Sequence, residues 1–254
     1  LRHNTNYVMK RKNMEKTDVH AHIISGIDDG AENAEESMAM LKLAAVQGFR
    51  KFIATPHYSP QYRNLCPEYI QEECRRLEEQ AQACIHPDIR IYSGQEIYYE
   101  DGVMEKLDKG KLLTLAGSSY VLMEFAVHVS YSELYRSLQR LRLEGYYPVL
   151  AHAERYPALR KEENSLEELE EAGVLIQLNY GSLQGAWWQE TARWCRKQIK
   201  AGRIHFLGTD MHDAVNRPPH TERAFAWMER YLDKERLEAL CYGNAERLLK
   251  NESI

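Results

Sequence analysis

Seven short apolar segments recur along this chain, and a helical pattern follows each of them. They span residues 18–24, 51–55, 89–93, 120–125, 148–152, 174–179 and 203–208. The helical signals between them are local and chemical. Asn33 stands three residues before Glu36, the spacing of a capping box, and the helix it opens carries Met38, Leu41 and Ala45 before Gly48 stops it. Pro67 suits the first turn of a helix over 67–84, and a short helix or turn follows near 103–108. Leu134, Leu138 and Leu141 share one face of a helix over 131–144, closed by Gly145. Further helices are expected over 165–172 and 186–201, with two or three more over 219–250. In the 186–201 helix, Trp187, Trp188 and Trp194 read as packing aromatics. Strand-then-helix alternation argues for a parallel sheet with crossover helices. Seven such units in 254 residues fit a closed barrel better than an open sheet. The expected fold class is therefore α/β, a TIM-like (β/α)7 barrel, in a single domain over 17–254. Residues 1–16 are polar and basic without periodicity. They read as a disordered arm or a cloning remnant, with Met14 as a natural start.

Composition narrows the function. The 33 basic and 38 acidic residues leave a net charge of −5, which argues against a broad nucleic-acid-binding face. No apolar run is long enough to span a bilayer and no secretion signal opens the chain, so the expected location is the cytoplasm, without membrane insertion. The five cysteines include no C-x-x-C pair, so neither a disulfide framework nor a zinc knuckle is expected. Cys84 to Arg90 and Cys241 to Arg247 match the C-x5-R spacing of cysteine-dependent phosphatases. Cys84–Arg90, however, lacks glycine, loses one N–H at Pro87 and places Asp88 where phosphate would sit, while Arg247 falls in a helical stretch. Both matches are taken as chance.

Chemistry collects at the strand ends. His20 and His22 lie on the first strand, two residues and about 6.6 Å apart, so both point to one side. Asp29 follows in the next loop, with Asp28 as its neighbour and competitor. His57 follows the second strand, Glu96 the third, Glu124 the fourth and His152 the fifth, while Asp210 and His212 follow the seventh. In a parallel barrel the C-terminal strand ends share one rim, where active sites form. Five imidazoles and four carboxylates would thus converge. Such a mixed nitrogen–oxygen set suits manganese, iron or zinc better than calcium or magnesium. Nine ligands are too many for one ion and about right for three with a bridging carboxylate. A cluster with open positions is catalytic in character.

In this context His20-Ala-His22, Asp28-Asp29-Gly30, Thr55-Pro-His57, Gly94-Gln-Glu96-Ile-Tyr-Tyr99, Met123-Glu124-Phe125, Ala151-His152-Ala-Glu-Arg155-Tyr156 and Asp210-Met-His212 with Arg217-Pro-Pro-His220 resemble the polymerase-and-histidinol-phosphatase (PHP) superfamily. More narrowly, they resemble its bacterial manganese-dependent protein-tyrosine phosphatases of capsule and exopolysaccharide systems, over about residues 17–250. The resemblance implies a distorted seven-stranded barrel, the PHP fold, with three metal ions. These would be manganese, with iron, zinc or magnesium as substitutes. By motif position, His20, His22, Glu96 and Asp210 would hold the first ion. Glu96 would bridge to the second, completed by Glu124 and His152. Asp29, His57 and His212 would hold the third.

The resemblance also gives Arg155 and Arg217 a phosphate-binding role, and guanidinium forks match phosphate oxygens in a bidentate way. Tyr98 and Tyr99 either stack on a substrate ring or simply pack. His128 and His220 lie near the expected rim. The implied reaction is attack of a metal-bound hydroxide on phosphotyrosine, on the tyrosine-rich tail of a bacterial tyrosine kinase controlling capsular or exopolysaccharide synthesis. Two alternatives remain at this stage. One is a small-molecule phosphomonoesterase like histidinol-phosphate phosphatase, and the other is a non-catalytic metal-binding domain.

Overall fold

The computed structural model describes residues 15–62, 66–162, 164–186 and 188–254. The expected arm falls largely at residues 1–14, outside the described residues, as does Trp187. Among the described residues nine strands form: β1 (Lys16–Ala21), β2 (Phe49–Ala54), β3 (His57–Tyr58), β4 (Arg90–Ser93), β5 (Glu96–Tyr98), β6 (Tyr120–Glu124), β7 (Tyr147–Leu150), β8 (Leu175–Asn179) and β9 (Phe206–Gly208). The helices between them are α1 (Ala34–Val46), α2 (Pro67–Cys84), α3 (Val103–Asp108), α4 (Tyr131–Leu143), α5 (Pro157–Lys161), α6 (Ser165–Glu171) and α7 (Glu190–Lys200). After β9 come α8 (Glu222–Tyr231), α9 (Lys234–Glu238) and α10 (Asn244–Leu249).

Every pairing between these strands is parallel. Three strands run in the order β1-β2-β4 and six in the order β3-β5-β6-β7-β8-β9. Two of the seven staves are broken in the middle, β2 into β3 and β4 into β5. The causes are local. Pro56 has no N–H to give the ladder, and its carbonyl accepts instead from the N–H of Glu96 at 3.1 Å. At Gly94 a Cβ would meet the Ile53 and Leu115 side chains at 3.0 Å, so a larger residue would push them aside where the stave turns from β4 into β5. The ring closes between β9 and β1 through the Ala21–Met211 bridge and two backbone bonds, Asp210 N–H to His20 O at 2.9 Å and His22 N–H to Met211 O at 3.0 Å. The result is a distorted seven-stave α/β barrel.

Val19, Ile53, Leu122, Val149, Leu175 and Phe206 come from six different strands and pack in one cluster with Leu248 of α10. Such a set can meet only inside the curl of the sheet. A larger apolar layer lies between the strands and the surrounding helices, to which α4 contributes Leu134, Leu138 and Leu141. Helix starts follow the sequence signals. Asn33 Oδ1 accepts from the N–H of Glu36 at 3.0 Å, although the Glu36 carboxylate takes the N–H of Glu32 and not that of Asn33.

Several boundaries differ from expectation. The first strand opens at Lys16, which is buried; its ammonium donates to the Gln47 carbonyl at 2.8 Å and lies 3.9 Å from the Phe225 ring centroid. The fold therefore includes a residue assigned to the arm, because the long stem packs while the charge finds a carbonyl and an aromatic face. Arg203–His205 precede β9 and are not part of it. Of the tryptophans, Trp194 packs on the core but Trp188 is 66% exposed, because α7 begins only at Glu190. Replacing Phe206 by Ala should cost about 3–5 kcal/mol in urea unfolding, as expected for an aromatic removed from a packed interior. A loss below about 1 kcal/mol would contradict the inner cluster.

Candidate metal centre

The strand ends bring nine side chains to one rim. β1 carries His20 and runs on to His22, whose Nε2 atoms lie 3.2 Å apart. Asp28 Oδ2 sits 2.9 Å from His22 Nδ1 and also accepts the His57 N–H at 2.9 Å, so one carboxylate sets two imidazole-bearing segments. The turn that places Asp28 needs Gly30, where a Cβ would stand 2.4 Å from the His22 carbonyl oxygen. His152 and Asp210 both adopt positive φ, 32° and 52°. Left-handed backbone in non-glycine residues is uncommon and clusters at functional sites.

Glu96 lies at the middle of the set and is fully buried. Its Oε2 is 3.1 Å from His20 Nε2, 3.2 Å from His22 Nε2 and 3.1 Å from His57 Nδ1. Its Oε1 is 2.7 Å from His152 Nε2. On one side, Asp210 Oδ1 is 3.6 Å from both His20 Nε2 and His22 Nε2. On another, Glu124 approaches His152 Nε2 at 3.4 Å and His57 Nδ1 at 3.6 Å. On a third, Asp29 Oδ1 is 3.4 Å from His57 Nε2 and 3.5 Å from His212 Nε2, while the rings of His22 and His212 stack at 3.9 Å. Among the described residues, three groups bring their donor atoms within 4.8 Å of one another: His22, Asp29, His57 and His212; His20, His22 and Asp210; and His57, Glu96 and Glu124.

The residues fit cations. Glu96 Oε2, His57 Nδ1 and His152 Nδ1 are buried without a hydrogen-bond partner among the described residues. For Glu96 Oε2 this holds although three ring nitrogens stand within 3.2 Å. Four polar groups crowd together there without a hydrogen bond to that oxygen, and buried polar atoms left so are costly unless a positive centre lies between them. Burial works against the Glu96 charge, yet His20 and His152 hold its carboxyl well below the usual range. Burial likewise opposes the charged form of His152, while Glu96 and Glu124 push it up to about 9. The site is built for positive charge.

Supporting residues surround these side chains, and sequence reading missed most of them. Gln177 Oε1 accepts the His152 N–H at 2.6 Å and lies 3.3 Å from His20 Nδ1. Gln177 donates to Asn179, and Asn179 donates to Asp210 Oδ2 at 2.7 Å. Below them Asp18 takes both the N–H and the hydroxyl of Thr209, clipping β1 to β9, and its burial pushes the carboxyl up to about 6. Two buried amides alternating on an apolar strand, at 177 and 179, were a readable signal. Tyr62 had none: its ring stacks on His57 at 5.1 Å and 7°, and burial, helped by the neighbouring Asp29 carboxylate, pushes its hydroxyl up to about 12.

Arg155 and Arg217 come together. Both pair with Asp210 Oδ2, Arg217 at 3.0 Å, and Arg217 also reaches Asp29 at 3.8 Å. Each side chain is 40% exposed, so both guanidinium groups open to solvent at the rim. Tyr99 stacks on Phe125 at 5.2 Å and packs on the core, whereas Tyr98 pairs in register with Glu124 and is half-buried. His128 and His220 are exposed. Cysteine chemistry has no place here: Cys241 is buried and pushed up to about 12, and Cys84 is exposed at the end of α2.

Residues 16–250 match the family model for capsular polysaccharide synthesis, CpsB/CapC. The tyrosine-protein phosphatase YwqE of Bacillus subtilis is 35% identical over 241 residues, 93% of this chain and 92% of that protein. The tyrosine-protein phosphatase CpsB of Streptococcus pneumoniae is 31% identical over 242 residues, 93% and 99% respectively. A crystal structure from work on YwqE and CpsB, described as unique metal-dependent tyrosine phosphatases, superposes with a TM-score of 0.85 at 33% identity, covering 94% of this chain and 96% of the other. Because Asp28 orients His22 without belonging to any of the three groups, Asp28→Asn should weaken metal binding about 10–100-fold, as loss of a ligand-orienting partner does. Calorimetric titration of metal into the variant checks this, and unchanged affinity would contradict the assignment.

Proposed function

The chain belongs to the CpsB/CapC family of capsular polysaccharide synthesis, and from that premise we propose that it is a metal-dependent protein-tyrosine phosphatase. The observation that carries the metal dependence is the buried Glu96 carboxylate ringed by imidazoles, its inner oxygen without a hydrogen-bond partner among the described residues. We assign His20, His22, Glu96 and Asp210 to one ion. Glu96, Glu124 and His152 take a second, and Asp29, His57 and His212 a third. His57 faces two ways, Nδ1 toward Glu96 and Glu124 and Nε2 toward Asp29; we assign Nε2 to the third ion. The mixed nitrogen–oxygen donors favour manganese, with iron, zinc or magnesium as substitutes.

Bound ions would supply an activated water nucleophile at neutral pH and neutralise charge on the phosphoryl oxygens. The chain's own residues do the rest. Arg155 and Arg217 hold two non-bridging oxygens from the open side, and their fork geometry favours a planar set of acceptors. Both now lean on Asp210 Oδ2, so a phosphate oxygen would replace one carboxylate partner with another anion. The leaving phenol has a pKa of roughly 10, so it needs less help from an acid than an alkyl alcohol does. We assign contact with the substrate ring to Tyr98, which is half-buried and in register with Glu124, because Tyr99 stacks on Phe125.

The substrate we propose is the phosphorylated, tyrosine-rich tail of a bacterial tyrosine autokinase that controls capsular or exopolysaccharide synthesis. The family description supports the capsule link. The location we propose is the cytoplasm. The five cysteines of the described chain are all free, two of them exposed, which fits a reducing compartment. Phosphate release on a phosphotyrosine peptide and on histidinol phosphate, each with manganese and with chelator, tests the class. Metal-dependent turnover of the peptide is expected, and preference for histidinol phosphate would move the protein to small-molecule hydrolysis. Arg155→Ala and Arg217→Ala should each lower kcat about 10²–10³-fold, the scale of losing one transition-state donor. Thermal unfolding should stay near that of the parent, and near-parental rates in both variants would contradict their phosphate role.

A further inference from the structure

A loop and a helix leave the rim side by side, and between them lies a groove of about 370 Å3. The loop starts three residues beyond Glu124 and contributes Val127, Val129 and Ser130. The helix, α5, starts two residues beyond Arg155 and contributes Pro157, Ala158 and Lys161. The two walls are fixed to each other near the metal cluster: the Phe125 N–H donates to Tyr156 Oη at 3.0 Å, and the two rings meet edge to face at 6.5 Å. The outer end is fixed too, by the Tyr131 hydroxyl donating to Glu168 at 2.6 Å. Glu124 and Arg155 belong to the proposed reaction, yet nothing in that reaction uses the groove.

We propose that this groove seats the polypeptide on either side of the phosphotyrosine, with an apolar side chain of that polypeptide in it. This rests on the phosphotyrosine reading above and names what selects the substrate. Reach supports it. Three residues of extended chain span at most roughly 11 Å. The groove's walls begin within three residues of Glu124 and two of Arg155, so a residue one to three positions from the phosphotyrosine has the length to reach it. The lining supports it as well. Val127 is 49% exposed at the mouth, an apolar side chain left to water next to a strongly polar cluster. Val129, Pro157 and Ala158 extend that apolar surface, while Ser130, His128, Lys161 and Glu162 add polar groups, two of them of opposite charge. That mixture suits a side chain and the backbone that carries it, not a purely anionic ligand.

Short phosphotyrosine peptides with leucine at each of the three flanking positions, compared with an all-glycine peptide and with phenyl phosphate, test the inference. At one position at least, leucine should raise kcat/KM about tenfold over glycine, and Ala158→Trp or Val127→Glu should erase that gain while phenyl phosphate turnover stays within about twofold. No leucine preference in the parent protein, or a preference kept by both variants, would overturn the groove. Turnover of phenyl phosphate with no peptide accepted would instead remove the protein-substrate reading, and this inference with it.

Discussion

A buried carboxylate that cannot satisfy itself organises this molecule. Glu96 has no access to solvent, and isolating its charge there would cost several kcal/mol. The chain answers by surrounding it with imidazoles from three other staves, His20 and His22 from the first, His57 from the second and His152 from the fifth. That arrangement dictates local features that otherwise look like defects in the sheet. The breaks at Pro56 and at Gly94 turn two staves so that His57 and Glu96 stand side by side in register. The left-handed backbone at His152 and Asp210 turns two more. Polar groups around the cluster then carry constraint outward: Asp28 sets His22, Gln177 sets His152, and Asp18 ties the strand of His20 to the residue before Asp210.

The cluster is closed on one side and open on the other. His20, His22 and Glu96 are sealed, while Glu124 is partly open and Asp29 and the two arginines are open to water. The proposed substrate would therefore approach over Asp29 and Glu124, beside Arg155 and Arg217. This asymmetry separates the tasks. The sealed side holds charge in a low-dielectric setting where it is strongest. The open side is where phosphate and its polypeptide are proposed to dock. The loop after Glu124 and the helix after Arg155 would then meet whatever is attached to the phosphate.

The staves and their terminal histidines and carboxylates were legible because a parallel sheet reads as apolar runs and its functional residues sit where those runs end. Gly48 and Gly145 as helix stops, Pro67 at a helix start and the α4 leucines were legible for equally local reasons. What the sequence could not display was convergence across distance. The β9–β1 closure rests on one bridge and two backbone bonds, too few to leave a pattern. Lys16 reads as solvated arm until Gln47 and Phe225 arrive from far along the chain to cover it. Tyr62 sits in a polar loop and gains meaning only from stacking on His57. Trp188 reads as core because its neighbours are aromatic, yet the helix that would have turned it inward starts two residues later.

If Glu96 is the shared ligand that the geometry describes, its loss should be felt by more than one ion. Metal content per chain, measured by elemental analysis and located by anomalous diffraction, should show occupied positions at the three groups of donors in the parent protein. Glu96→Gln should empty the two positions that use it while the barrel remains folded. Full metal content in that variant, or a folded parent protein that takes up no metal at these groups, would contradict the central role given to this carboxylate.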